Sequence, residues 1–446
     1  MTDMSDLKQR DSFASKWGFI LACIGSSVGM ANVWAFPYRA AKYGGAAFLI
    51  PYLICVILLG ATGVVEEIAF GRWGRAGPLG TLRKALAGKT KNRPIREIGI
   101  VATVAAFCIG IGYAIVMGWV LRYLWGSVSG AVMGVENTGA YFGQIVGNFG
   151  SLGWHIAALV LTFAMMAGGI AKSIEKVCKI LMPVFFALFI YMAIRVAMLP
   201  NALAGYKYLF IPQWEFMGNI KTWIFALGQA FFSLSLSGNG TIVYGSYLSK
   251  KENILACSAH IAVFDTLAAL LASIVIIPAV FVFFSLEELT AGPPLMFITL
   301  PAIFQQMGGG QIFAIFFFLA VFFAAASSIV NIFETPVEML QERFKLSRLK
   351  SVLIILFAAA AIGVFLENAD IIGVWMDIVS IYICPLGALI AAVIFFWVMG
   401  KEFAAGQIQL GRNAKIGKWI VPLGKYGYCA IALLVFALGI AFGGIG

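Results

Sequence analysis

The sequence predicts an all-α protein that crosses a membrane many times, and three observations carry that prediction. Of its residues 61% are hydrophobic and only 11% charged, against roughly 25% charged in soluble domains. Apolar stretches of about 20 residues, the length a hydrocarbon core of roughly 30 Å requires, recur along the whole chain. Lys and Arg gather in alternate connections between those stretches.

Eleven spans follow in order, at about 17–41, 46–70, 98–125, 154–171, 178–199, 219–247, 254–284, 309–339, 349–366, 373–399 and 424–444. The first is too long for a cleavable signal peptide, ends in Phe36-Pro37-Tyr38 and has no small-residue cleavage site. Placing the N-terminus in the cytoplasm puts 25 of the 31 Lys and Arg on the inner side, eight of them between Arg72 and Arg96. The positive-inside rule predicts this asymmetry. The net charge of +11 therefore reads as topology in a lipid bilayer, and nucleic acid is excluded as a partner. The seven cysteines are scattered in or beside apolar spans. They read as small packed hydrophobes, without metal spacing or a disulfide framework.

The predicted organisation is a cytoplasmic N-terminal tail, residues 1–15, and a single transmembrane domain, residues 16–446. The outer segment 127–153 is Gly-rich and nearly uncharged. The segment 285–310 contains Glu287 and Glu288 but continues as "PPLMFITLPAIF", which predicts a cap folded back onto the helices.

Two spans are interrupted. The first breaks at "GSSVGMAN" and the sixth at "SLSLSGNG". These positions correspond if spans 1–5 (about 16–199) and 6–10 (about 219–400) are two five-helix repeats, with span 11 added. Two repeats of odd helix number lie in a membrane with opposite orientation. Unwound peptide groups at membrane depth are tolerated only where they line a cavity or bind something, and paired interruptions point to a transporter's substrate site. Close packing of small residues is the alternative reading, which the asparagine in each cluster, Asn32 and Asn239, does not suit.

"WGFILACIGSSVGMANVWAFPYRAAKYGGAAFLIPY" resembles the opening helices of the neurotransmitter:sodium symporter family, the bacterial amino-acid transporters of the LeuT fold. "EEIAFGR", "IGYAIVMGW", "IAKSIEKVCKILMP", "GQAFFSLSL", "FITLPAIF" and "FFAAASSI" continue the resemblance in order along the chain. It implies eleven transmembrane helices in a 5+5 inverted repeat, with helices 1 and 6 unwound at mid-membrane. It also implies sodium-coupled symport of an amino acid by alternating access, in the cell (plasma or inner) membrane.

Carried over residue by residue, the resemblance places the substrate carboxylate on the N–H groups of Met30 and Ala31 and the Tyr113 hydroxyl. The substrate amino group falls near Ser27, Phe232, Ser233 and Ser235. The side-chain pocket is Ile109, Phe232, Ser235, Gly238, Ser328 and Ile332. That lining has no charged residue, which argues for a neutral, mainly hydrophobic L-amino acid.

Two sodium sites are implied. The second joins the carbonyls of Gly25, Val28 and Ala324 to the hydroxyls of Ser327 and Ser328; the alternative for the two serines is a bond back to their own helix. The first takes Ser27, Asn32, Ser233 and a residue of span 7, where an ungapped match gives Phe264 with Asp265 beside it. An intramembrane acid is a functional hypothesis by default. Asp265 is open to three roles: ion ligand, fixed charge in place of chloride, or proton carrier.

For the inner gate the resemblance pairs Arg10 with Glu342, supported by Ser246 and Tyr247. The family's usual Trp-Arg-Phe-Pro is here Trp34-Ala35-Phe36-Pro37. The family's usual arginine pairs with an acid in span 10, here Asp377; the outer gate is expected to have moved to Arg39, about one helical turn outward, leaving Asp377 a longer or different pairing, and the alternative is that Arg39 merely faces the vestibule. No Ser/His/Asp, metal or nucleotide-loop pattern is present, so the protein is not read as an enzyme. Alternatives to sodium symport are proton-coupled or sodium-independent exchange, and more remotely a non-transporting amino-acid sensor. A functional monomer is expected.

Overall fold

The computed structural model describes residues 12–236, 239–285, 289 and 291–446, and of Ala171 and Lys172 the backbone alone. Among the described residues the secondary structure is entirely helical. Among the described residues eight helices are long and apolar enough to cross a membrane, and the bent pair Lys16–Ser27 and Met30–Lys42 makes a ninth. Leu152–Ala167, at the fourth span, is apolar but shorter. The sixth span is the pair Ile220–Ser233 and Gly240–Ser246. Large apolar side chains such as Ile57, Ile194, Phe357 and Leu433 stand exposed on the long helices, as lipid-facing residues do.

Local chemistry sets the helix ends. The Ser15 hydroxyl accepts from the Gly18 N–H and caps the first helix. The Glu175 carboxylate, opening the fifth span, also accepts from the Ala14 N–H at 2.7 Å and the Ser15 hydroxyl at 2.9 Å. The first helix is thereby tied to the fifth, against which it packs. Asn219 and Asn253 cap the sixth and seventh spans with their side-chain carbonyls.

Both predicted interruptions are breaks in the helices. In the first span, Val28 and Gly29 leave helical geometry, with ψ of 96° and −172°, and the two halves meet at 54°. In the sixth, Ser235 and Asn239 take positive φ, 58° and 57°, a conformation uncommon for residues other than glycine. Strained backbone of this kind clusters at ligand sites. The third and eighth spans, Ile100–Val128 and Gly310–Phe344, pack along each other beside the broken pair.

The segment after Pro294 folds inward, as its apolar sequence predicts. Leu295–Thr299 and Leu300–Gln306 bury Phe297, Leu300 and Phe304, and the Tyr123 hydroxyl donates to the Phe297 carbonyl at 2.8 Å.

Candidate site at the paired helix breaks

The two breaks face one cavity of about 60 Å³, closed by the third and eighth spans. Nine of the predicted substrate residues line it: Ser27, Ala31, Ile109, Tyr113, Phe232, Ser233, Ser235, Ser328 and Ile332. Met30 is not in the wall, but its N–H donates to the Tyr113 hydroxyl at 3.1 Å. Gly238 lies outside the described residues. None of the lining residues is charged.

The sequence reading missed Asn331. It lines the cavity, is buried, and donates through its amide nitrogen to the Ser26 hydroxyl, leaving its carbonyl oxygen without a hydrogen bond among the described residues. The signal was present: Asn331 stands three residues after Ser328, on the same helix face. Ser26 was also missed. Its carbonyl accepts from Ser235 at 3.0 Å, which links the two breaks directly.

Opening the first helix leaves carbonyls without intrahelical partners. The Ser328 hydroxyl stands within hydrogen-bond distance of three of them, Gly25 at 3.0 Å and Ser26 and Val28 at 3.2 Å. Neutral oxygens converging on one point are what a hard monovalent cation requires. Ser327 behaves differently: its hydroxyl bonds back to Phe323 and Ala324 of its own helix, both at 3.0 Å. Of the proposed second-site groups, Ser328, Gly25 and Val28 meet. Ser327 is bonded to Ala324, and its side chain rests on Gly25, in the space a Cβ there would fill.

At the first-site position, Asp265 is fully buried and its carboxylate is held by two donors. The Ser233 hydroxyl donates to Oδ2 at 2.7 Å and the Asn32 amide nitrogen to Oδ1 at 2.9 Å. The Asn32 oxygen accepts from the Gly29 N–H at 3.0 Å. Asn32, Ser233 and Asp265 thus form one cluster behind the substrate cavity, and Ser27 lies in the cavity wall.

On the inner side, Arg10 lies outside the described residues. Glu342 rests on Gly80, in space a side chain there would fill. The Tyr247 hydroxyl donates to buried Glu334 at 3.0 Å, and Arg348 donates to both Glu334 oxygens at 2.8 and 2.7 Å. This pair was not read from the sequence. The Ser246 hydroxyl donates to the Val243 carbonyl at 2.5 Å.

On the outer side, Arg39 and Asp377 line a common cavity of about 220 Å³ without pairing. Arg39 donates to the Gln229 side-chain oxygen at 2.5 Å and the Gly446 main-chain oxygen at 2.6 Å.

Two broken helices joined around a neutral polar cavity, in an all-helical membrane protein, define a transporter of the LeuT fold. The solved structure of MhsT in complex with L-phenylalanine matches with a TM-score of 0.84 and 31% identity, covering 96% of this chain and 99% of that one. The chain belongs to the sodium:neurotransmitter symporter family, whose profile matches residues 10–143 and 134–441. The uncharacterized sodium-dependent transporter YhdH of Bacillus subtilis (strain 168) is 33% identical over 421 residues, 90% of this chain and 91% of that protein. An uncharacterized sodium-dependent transporter of Methanocaldococcus jannaschii is 29% identical, over 92% of this chain and 86% of its own. The sodium-dependent neutral amino acid transporter B(0)AT3 of Rattus norvegicus is 29% identical over 62% of this chain and 48% of its own. The protein is therefore a multi-pass, sodium-dependent transporter, and its relatives are transporters rather than enzymes.

Proposed function

We propose that the protein carries a neutral, mainly hydrophobic L-amino acid into the cell together with sodium, by alternating access. The observation that carries this reading is the cavity wall. It joins peptide groups and hydroxyls from two broken helices to Ile109, Phe232 and Ile332, with no charged side chain among its lining residues. A charged substrate side chain would lose its hydration there without a partner, a large penalty. The zwitterionic end is different, because N–H donors and carbonyl acceptors are both at hand. The N–H of Ala31 and the hydroxyl of Tyr113 receive the carboxylate, with Met30 beside them; carbonyls near Ser27 and Phe232, with Ser233 and Ser235, receive the ammonium. MhsT with L-phenylalanine and the name of B(0)AT3 support an amino-acid substrate.

In this reading sodium is cargo at two sites. One uses Ser328 with the Gly25 and Val28 carbonyls, Ser327 and Ala324 completing it. The other uses Ser27, Asn32, Ser233 and Asp265. Asn32 turns its carboxamide so that the oxygen, now on the Gly29 N–H, faces the ion, while Asp265 supplies the negative charge. A proton on Asp265 is the rival for the second coupling ion, favoured by the acid's complete burial. The protein works as a monomer of eleven spans in two inverted repeats, in the cell membrane, with its N-terminus in the cytoplasm. Arg10 and Glu342, with Ser246 and Tyr247, close the inner side.

The test is uptake of radiolabelled amino acids by proteoliposomes, after a thermal-shift screen of the twenty amino acids. A neutral apolar residue is expected to give the largest shift. A preference for lysine, arginine, aspartate or glutamate would overturn the substrate reading.

A further inference from the structure

We propose that residues Gly443–Gly446 are the outer closing element of this transporter. They seat against the sixth span, and Gly446 bonds Arg39. The inference rests on the family's transport function and not on which amino acid is carried.

The chain leaves the last helix, Cys429–Phe442, through two successive glycines in positive φ, Gly443 at 64° and Gly444 at 106°. Residues with a side chain rarely adopt such angles. The Gly444 N–H closes on the Gly439 carbonyl at 2.8 Å, so the turn is fixed and the next two residues are sent back over the vestibule. Ile445 is then 3% exposed, although it follows the end of a lipid-facing helix.

The seat is shaped for backbone. The Ile445 carbonyl oxygen occupies the space that a Cβ on Gly228 would need, so the approach requires glycine at position 228. Gly446 lies over the Phe232 ring. Phe232 lines both the central cavity and the vestibule, so the segment sits directly above the ring that divides them.

The segment also completes the coordination of Arg39. Its guanidinium reaches the Gly446 main-chain oxygen at 2.6 Å, Gln229 at 2.5 Å and the face of Phe225 at 5.7 Å, and no Asp or Glu side chain pairs with it among the described residues. Asp377, on the tenth span, lines the same cavity without reaching it. Arg39 therefore ties the first span to the sixth and to this segment. A substrate arriving from outside meets the segment before Phe232, and the segment must withdraw to admit it.

The test reads accessibility rather than transport. Ser380, in the vestibule wall, is changed to cysteine as a reporter. Labelling by a charged, membrane-impermeant methanethiosulfonate is timed in the purified full chain, with the protein lacking Ser380→Cys as background for the native thiols. Deleting residues 443–446, or Gly228→Ala to push the Ile445 carbonyl off its seat, is expected to speed labelling about tenfold, matching a tenfold rise in the open population. Arg39→Ala is expected to move it the same way. Labelling within twofold of the parent, in either of the first two variants eluting as folded protein, would overturn the proposal. Failure to find a transported amino acid would leave this readout unchanged, so the two ideas fail separately.

Discussion

The Ser328 hydroxyl reaches across from the eighth span to the Gly25 carbonyl of the first, 3.0 Å away, while its neighbour Ser327 turns back to its own helix. Two adjacent serines thus have unequal parts. Ser328→Ala removes the oxygen around which the Gly25, Ser26 and Val28 carbonyls gather. It should raise the sodium concentration for half-maximal uptake about tenfold, the ~1.4 kcal/mol of one lost ligand. Ser327→Ala should raise it less. Sodium titration of uptake by the two variants reads the order, and equal effects would contradict it.

Asp265 tests the other ion site. Asp265→Asn keeps the shape and removes the charge that Ser233 and Asn32 address at 2.7 and 2.9 Å. If the carboxylate serves a cation, half-maximal sodium should rise by about tenfold or more, with substrate binding at saturating sodium largely retained. An unchanged sodium dependence, with lost sensitivity to a proton gradient, would assign the acid to protons.

Tyr113→Phe removes the acceptor for the Met30 N–H and a donor for the substrate carboxylate. Equilibrium binding of the amino acid should weaken about tenfold, the ~1.4 kcal/mol of a hydrogen bond to a charged group. The melting temperature should stay close to that of the parent. Calorimetric or scintillation binding measures the first, and a thermal melt the second.

On the inner side, Arg348→Met takes both guanidinium bonds from the buried Glu334 carboxylate and leaves it the Tyr247 hydroxyl. Removing one partner of a buried pair costs about 3–5 kcal/mol, so the melting temperature should fall clearly. Adding Glu334→Gln should restore part of it, because the uncompensated charge is gone. A double variant no more stable than Arg348→Met would show that the pair is not what holds this face.

Most of the architecture was legible in the sequence because membranes impose simple lengths and polarities. The apolar stretches mark the helices, and polar residues inside two of them mark the breaks at Val28–Gly29 and around Ser235. Nine cavity residues could be named because the resemblance to the symporter family carries them over at matching positions of the motifs. What was not legible depends on contacts between distant residues. Asn331 carried a signal in its spacing from Ser328, but its bond to Ser26 spans 305 positions. Glu334 and Arg348 stand on adjoining elements whose turn sets their meeting. The partners of Arg39 illustrate the limit best. Periodicity placed the arginine one turn beyond Ala35, yet nothing local indicated that a glycine-rich segment 407 residues later would meet it.

Sodium-coupled transport of a neutral amino acid is the central claim, and uptake into proteoliposomes tests it most directly. The best-binding amino acid is radiolabelled, and its accumulation is followed under an inward sodium gradient and, separately, under a proton gradient in sodium-free buffer. Accumulation above equilibrium with the sodium gradient alone is the predicted result. Equal accumulation driven by protons without sodium, or none under either gradient with binding intact, would contradict it.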